Sequence, residues 1–554
     1  MLRPASIAAA PEHHMPELEP DHLPTWVEST AVFTTGIDLL GLRQSVQLIG
    51  GQLLDGITTV TPYVRYLSLR AWLVYRYGQT GGPDAADAFT AFCLRVESGM
   101  VIGALLNARH LVGMVGGDDA GLRVDDGNGD LEVSALVATP AADIYASASD
   151  QVGISWDRKN KSVPGLTADR GIPLARCVDA QVQALPVLES LVNSQAPTLG
   201  RAGLAELGAR VRIDVLPEGE RELLVDALMP FSPFPRELPR MGTYAAILLL
   251  AQRQGVIPSE MEFLRAACSE RGFEDPRLQA TSDGWLMYCV RDALAVSQEA
   301  TLAAVMDELV SRPDSGRSGV PRHELLSALI EDAERHDAPL RDLGLLLPGE
   351  SVGDMTFRDV HSLIQTRLTN GTIAGDGIAR WASTFVEPRL FGVALKSGPG
   401  AISVALIAWI ICVLRIGSGI RATTQRDGLL SHQGAYRMGM REVVLPVFDA
   451  MWRDNRPFLQ AAAELAQRTV QQHLQTAWSR MDNNVLTDVA LLHAEGPVWF
   501  GRGVEFAAGR TASRLSQVTG WLRQLKLLDM TTGTTLHGDA ALARALDALA
   551  APRP

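Results

Sequence analysis

A fourteen-residue run, Ala401–Leu414 (AISVALIAWIICVL), is apolar but for Ser403 and constrains this chain more than any other feature. A helix that spans a bilayer needs about 20 such residues, and Arg415 closes the run at once. A strand rarely exceeds about eight residues. What remains is a helix buried on all sides, and such a helix needs several others around it. Composition agrees with that demand. Ala, Leu and Arg dominate, and the β-favouring aromatics are few, which tilts the chain towards helix. The fold expected is mainly α.

A chain of 554 residues exceeds one core, so roughly three or four domains are expected. The opening MLRPASIAAAPEHHMPELEPDHLP has too short an apolar stretch for a signal peptide. Residues 1–30 read as a disordered tail. Residues 31–195 read as a helical domain with a small α+β insertion at 111–175, where glycines and short alternating runs (Leu131–Val137, Val152–Trp156) interrupt the helical pattern. Gln44–Leu54 is a helix stopped by Gly56, and Thr61-Pro62 restarts one that runs to Gly78. Residues 196–312 form a second helical domain and contain the long helix Gly284–Val310. The polar, Gly-containing stretch at 312–320 separates it from a third, 320–481.

Residues 482–554 carry the most specific pattern. It runs through a helix Val485–Glu495, a strand Val498–Phe500, a short helix or turn Val504–Ala508, and a helix Arg510–Lys526. A hairpin around Thr532-Gly533 and a last helix capped by Asp539 follow. That order is the order of a winged helix-turn-helix. The net charge of the whole chain is −13, which excludes wholesale coating with phosphate. Residues 501–526 nevertheless hold five basic residues against Glu505, a local net charge of +4. Arg502, Arg510, Arg514, Gln517, Arg523 and Lys526 are therefore the candidate double-stranded DNA contacts. Leu515, Val518, Trp521, Leu522 and Leu525 would turn to the core. The bland alternative is a winged module that touches only protein.

Other candidates are weaker. Tyr63, Arg65, Tyr66, Arg70 and Trp72 mix aromatics with arginines as protein interfaces do, so they are the candidate partner-binding residues; the alternative is a packed helix whose arginines reach outward. Asp126, Asn128 and Asp130 have calcium-ligand spacing, but the sixth position is Leu131 and the twelfth Val137, so the loop fails and no metal is expected. Asp143, Asp157 and Lys159 have the loose order of a metal-dependent nuclease. The sequence holds no phosphate-binding loop, zinc helix or nucleophile elbow. Five scattered cysteines suit a reduced, cytoplasmic setting, and no cofactor and no membrane contact are expected.

The opening GIDLLGLRQSVQLIGGQLLDGITTVTPYVRYLSLRAWLVYRYG, through Gly36, Asp38, Gly41, Leu53, Leu54, Gly56, Ile57, Thr61, Arg65, Tyr66 and Trp72, resembles a group of uncharacterised bacterial proteins met in anti-phage defence islands. Pro164–Cys177 and Gly509–Asp529 are similar to the same group. The resemblance implies an accessory or sensor subunit of a defence system, with protein partners, and supplies no catalytic residues. The function expected is a non-catalytic subunit that contacts DNA and a partner enzyme. A metal-dependent nuclease and a protein-binding scaffold are the alternatives.

Overall fold

The computed structural model describes residues 38–125, 129–156, 162–193, 198–269, 272–370, 388–414, 444–482 and 490–551. The expected tail, 1–30, lies outside them. The chain is mainly helical, with only short strands. It divides into two compact units, each assembled from separated stretches. One comprises Gln47–Tyr288 with Ala512–Pro554, the other Met1–Val46 with Cys289–Thr511. Residues expected to make one module, 482–554, are thus shared between the two.

In the first unit the helix Arg65–Gln79 packs along Gly171–Val182, and Ala86–Asn107 packs along Arg201–Val211. The second pairing is close because glycines meet. A Cβ on Gly208 would stand 1.9 Å from the Gly103 carbonyl carbon. Ala86–Asn107 is long and apolar enough to cross a membrane, but most of it is buried inside the protein. The helix that Thr61-Pro62 was expected to begin starts later, at Arg65. Thr58 and Thr61 instead close a turn through the Thr61 hydroxyl, which accepts from the Thr58 amide at 3.0 Å. Helix Arg43–Leu53 ends as expected, with Gly56 at φ 87°.

The 111–175 insertion is more helical than its sequence implies. It holds the helices Gly117–Asp125, Ala141–Ile144 and Ala146–Gln151. The two expected strand runs shrink to Leu131–Glu132, paired antiparallel with Thr198–Leu199, and Ser155–Trp156, paired with Gly165–Leu166. The first unit closes with Leu238–Gln254, against which pack Leu536–Ala550 and a hairpin of Leu528–Asp529 and Gly533–Thr534. Thr535 caps that last helix, its hydroxyl accepting from Gly538 N. Asp539, the expected cap, accepts from the Thr534 hydroxyl instead.

In the second unit Ala401–Leu414 is a helix buried from Ile402 to Leu414, as its length and polarity require. Phe458–Asp482 and Arg322–Arg335 pack on it. The long helix begins earlier than expected, at Gln279, and runs to Val310, its residues from Cys289 onward belonging to this unit. Val320–Pro321, Val498–Gly501 and Leu492–Glu495 form an antiparallel sheet with Val498–Gly501 in the middle. Leu492–Glu495 is therefore a strand where a helix was expected. The reason is the two-residue turn that follows, which opens with Gly496 at φ 56° before Pro497 and so commits both flanks to a hairpin.

Candidate nucleic-acid interface

Leu515–Gln524 is an amphipathic helix whose Leu515, Val518, Trp521 and Leu522 are buried, as is Leu525 just beyond. It is shorter than the expected Arg510–Lys526. Arg514 sits at its N-terminus in the left-handed region, φ 62°, where a helix cannot continue backwards. Residues 502–514 ahead of it are irregular, including the stretch Val504–Ala508.

Three side chains of this segment hold the loop at 57–64. Arg514 donates to Ile57 O at 3.0 Å, and Trp521 Nε1 donates to Thr61 O at 2.7 Å. Gln524 makes two contacts, accepting from Val64 N at 2.8 Å and donating to Pro62 O at 2.9 Å. Residues 57–64 and 514–524, far apart in sequence, are thus partners in space. Each bond satisfies a main-chain group of the loop.

At the far end the helix closes in a Schellman motif. Leu527 N donates to Leu522 O and Lys526 N to Arg523 O, both at 2.9 Å. Lys526 occupies the left-handed position, φ 56°, where glycine is usual. The hairpin that follows is pinned at its tip by Asp529, which accepts from the amides of Thr531 (2.8 Å) and Thr532 (3.1 Å). Those donors, with the Thr531 hydroxyl first, hold the Asp529 carboxyl below its ordinary range.

The six candidate DNA contacts separate. Arg502 and Arg510 belong to the second unit, where Arg502 donates to Ala490 O at 2.9 Å and Arg510 is exposed. Arg514 is spent on the 57–64 loop. Gln517 is half-buried and accepts from the Ser516 hydroxyl. Arg523 and Lys526 are exposed, and among the described residues no carboxylate forms an ion pair with either. The exposed Ser516 and Arg523 and the half-buried Gly520 border an open cleft of about 260 Å³, with Phe263 and Glu260 on its other wall.

The candidate partner-binding residues are mostly interior: the segment is the packed helix of the alternative reading, except that its arginines Arg65 and Arg70 turn inward rather than outward. Arg65, Tyr66, Arg70 and Trp72 are buried. Arg65 meets Glu220 through Nε and Nη2, both at 3.0 Å, and also donates to Arg210 O. Arg70 donates to Ala142 O at 2.8 Å, and Trp72 Nε1 to Asp179 at 3.0 Å. The arginines turn inward because the fold supplies acceptors from distant elements. Tyr63 alone is half-exposed, its hydroxyl donating to Val112 O at 2.6 Å.

Of the nuclease candidates, Asp143 lies on Ala141–Ile144 and accepts from the Thr90 hydroxyl at 3.1 Å. Asp157 and Lys159 lie outside the described residues, as do Asp126 and Asn128. Among the described residues no group of three His, Cys, Asp or Glu side chains could hold a metal.

Two features had no signal in the sequence. Glu97 is buried within Ala86–Asn107 and accepts from the amides of Ala141 (2.6 Å) and Ala142 (2.8 Å). Burial outweighs those donors and pushes its carboxyl up to about 8. In the second unit Arg43 joins Glu299, Asp292 and Thr511. Glu299 and Asp292 in turn accept the amides of Gly509 and Thr511. The partners of Glu97 lie 44 and 45 residues away and those of Glu299 and Asp292 more than two hundred, so no local pattern could reveal them.

Comparison with known proteins finds no matching family model, no matching curated protein and no matching solved structure.

Proposed function

We propose that this protein is a non-catalytic, DNA-contacting subunit of a bacterial, cytoplasmic anti-phage defence assembly, and that Leu515–Gln524 with its following hairpin acts as the recognition helix and wing of a winged helix. The observation that carries the reading is the exposure of Arg523 and Lys526 on the open side of a helix whose other face is core, with no ion pair to a described carboxylate. Cations so placed can release counterions from a duplex. The defence context and the partner enzyme rest on the sequence resemblance.

The test is fluorescence anisotropy of the full chain with a labelled duplex, from about 50 to about 200 mM salt. Binding is expected at the low end, with a steep decline as salt rises, and Arg523→Glu with Lys526→Glu should abolish it. No binding at about 50 mM salt sinks the DNA reading, because phosphate contacts are strongest there. A protein-binding module is the second reading, favoured by Glu260 on the cleft wall opposite Arg523, where a carboxylate would repel phosphate. Co-purification with neighbouring gene products that survives both DNase and the charge reversal would favour it.

A further inference from the structure

The loop Pro230-Phe231-Ser232-Pro233-Phe234-Pro235 presents two phenylalanines to solvent, Phe231 at 76% and Phe234 at 57% exposure. Folding ordinarily hides such rings. These are also held rigidly. Three prolines fix φ along the loop, Phe234 N donates to Glu237 Oε2 at 2.8 Å, and Glu237 N donates back to Phe234 O at 2.9 Å. A guanidinium backs each ring. Arg544 lies 4.6 Å from the Phe231 centroid and is tied to Asp226 at 2.6 Å, and Arg170 lies 5.9 Å from the Phe234 centroid.

We infer that this loop is a stacking ledge for unpaired nucleobases, so that the preferred ligand is a duplex ending in a single strand. The inference rests on the reading above that Arg523 and Lys526 contact phosphate. Arginine-backed aromatic faces stack bases without regard to sequence. The local charges are matched internally, Arg544 with Asp226 and Arg170 with Glu237. The ledge therefore offers ring faces rather than a field for phosphate, and bases freed from a duplex reach those faces more readily than paired ones. The loop leads directly into Leu238–Gln254, whose Ile247 lines the cleft beside Arg523. Nine residues of helix separate the start of that helix from Ile247, roughly 14 Å. That is less than the ~34 Å of one duplex turn, the range within which a single nucleic-acid end would have to meet both places.

The test compares three labelled probes on the full chain: a blunt duplex, the same duplex with a single-stranded overhang, and the single strand alone. The overhang should bind at least about fivefold tighter than the blunt end, and this advantage should persist as salt rises, because stacking is not a counterion effect. Phe231→Ala with Phe234→Ala should erase the advantage and leave blunt-duplex affinity unchanged. Phe231→Trp should keep it. An overhang no better than the blunt end, or an advantage that survives the double alanine variant, overturns the ledge. So does a double variant that leaves every DNA affinity intact but changes the oligomeric state, which would assign the rings to a protein contact. Loss of blunt-duplex binding alone, with overhang binding still dependent on Phe231 and Phe234, supports the ledge and sinks the duplex reading.

Discussion

The amide of Leu527 donates to the carbonyl of Leu522 across 2.9 Å, and this bond closes over Lys526, whose backbone is held at φ 56°. A side chain in that region costs roughly 1 kcal/mol or more relative to glycine. Lys526→Gly should therefore raise the melting temperature while weakening duplex binding, and it should lower the salt slope by about 0.9 if the ammonium meets one phosphate. A variant that gains stability and keeps full affinity would show that Lys526 makes no such contact.

Arg65 and Glu220 form a two-point ion pair away from solvent. Truncating one partner strands a buried charge, at a cost of about 3–5 kcal/mol. Arg65→Met is expected to lower the urea midpoint sharply. Arg65→Met with Glu220→Met should recover much of that loss, since two apolar groups leave no charge unpaired. Equal losses in the single and double variants would show that the remaining partners, Arg210 O and Arg212 O, matter more than the pair itself.

Glu97 makes stability depend on pH in the direction opposite to most carboxylates. Folded, it keeps a proton up to about pH 8, while the unfolded chain releases it near the ordinary 4.5. Between those values the native state binds the extra proton, so this group's contribution falls as pH rises and is gone above about 8. The change is on the order of a few kcal/mol. Thermal melts at steps between those limits should show the decline, and Glu97→Gln should flatten it. A wild-type protein that grows more stable across the same interval, with Glu97→Gln unchanged in slope, would refute the assignment.

Two glycines should respond in opposite ways. Gly208→Ala would drive a methyl into the Gly103 main chain, 1.9 Å from its carbonyl carbon, and is expected to cost about 3 kcal/mol or more. Gly520 lies inside Leu515–Gln524 with nothing within 4 Å of an added Cβ. Gly520→Ala should stabilise by up to about 1 kcal/mol through helix propensity alone. Denaturant titration of both variants decides the matter.

The sequence is legible where a residue's environment is set by its neighbours in the chain. Ala401–Leu414 is uniform enough to demand burial and Gly56 stops its helix, while the expected hairpin forms with its turn shifted to 530–532, Gly533 standing in the second strand and the helix starting at Leu536. The helix expected over Val485–Glu495 gives way to a strand at Leu492–Glu495 because the Gly496-Pro497 turn commits both flanks to a hairpin. The inward course of Arg65 was invisible because Glu220 lies 155 residues away. Of the candidate interface, the buried stripe and the exposed Arg523 are readable from helical spacing, whereas Lys526 lies beyond the end of the helix. The capture of Arg514 by Ile57 O is not readable, since a basic residue in a list gives no sign that a distant carbonyl will claim it.

The bonds from Arg514, Trp521 and Gln524 to the 57–64 loop join residues about 460 positions apart. A ribosome adding about 5–20 residues per second needs roughly 20–90 s to travel between them. For that interval the nascent loop has none of these partners, and the surface that Trp521 will cover is open to chaperones and proteases. Synthesis that stalls anywhere between the two segments leaves a product unable to finish this part of its interior, so its abundance in the cell depends on translation running through to the final helices.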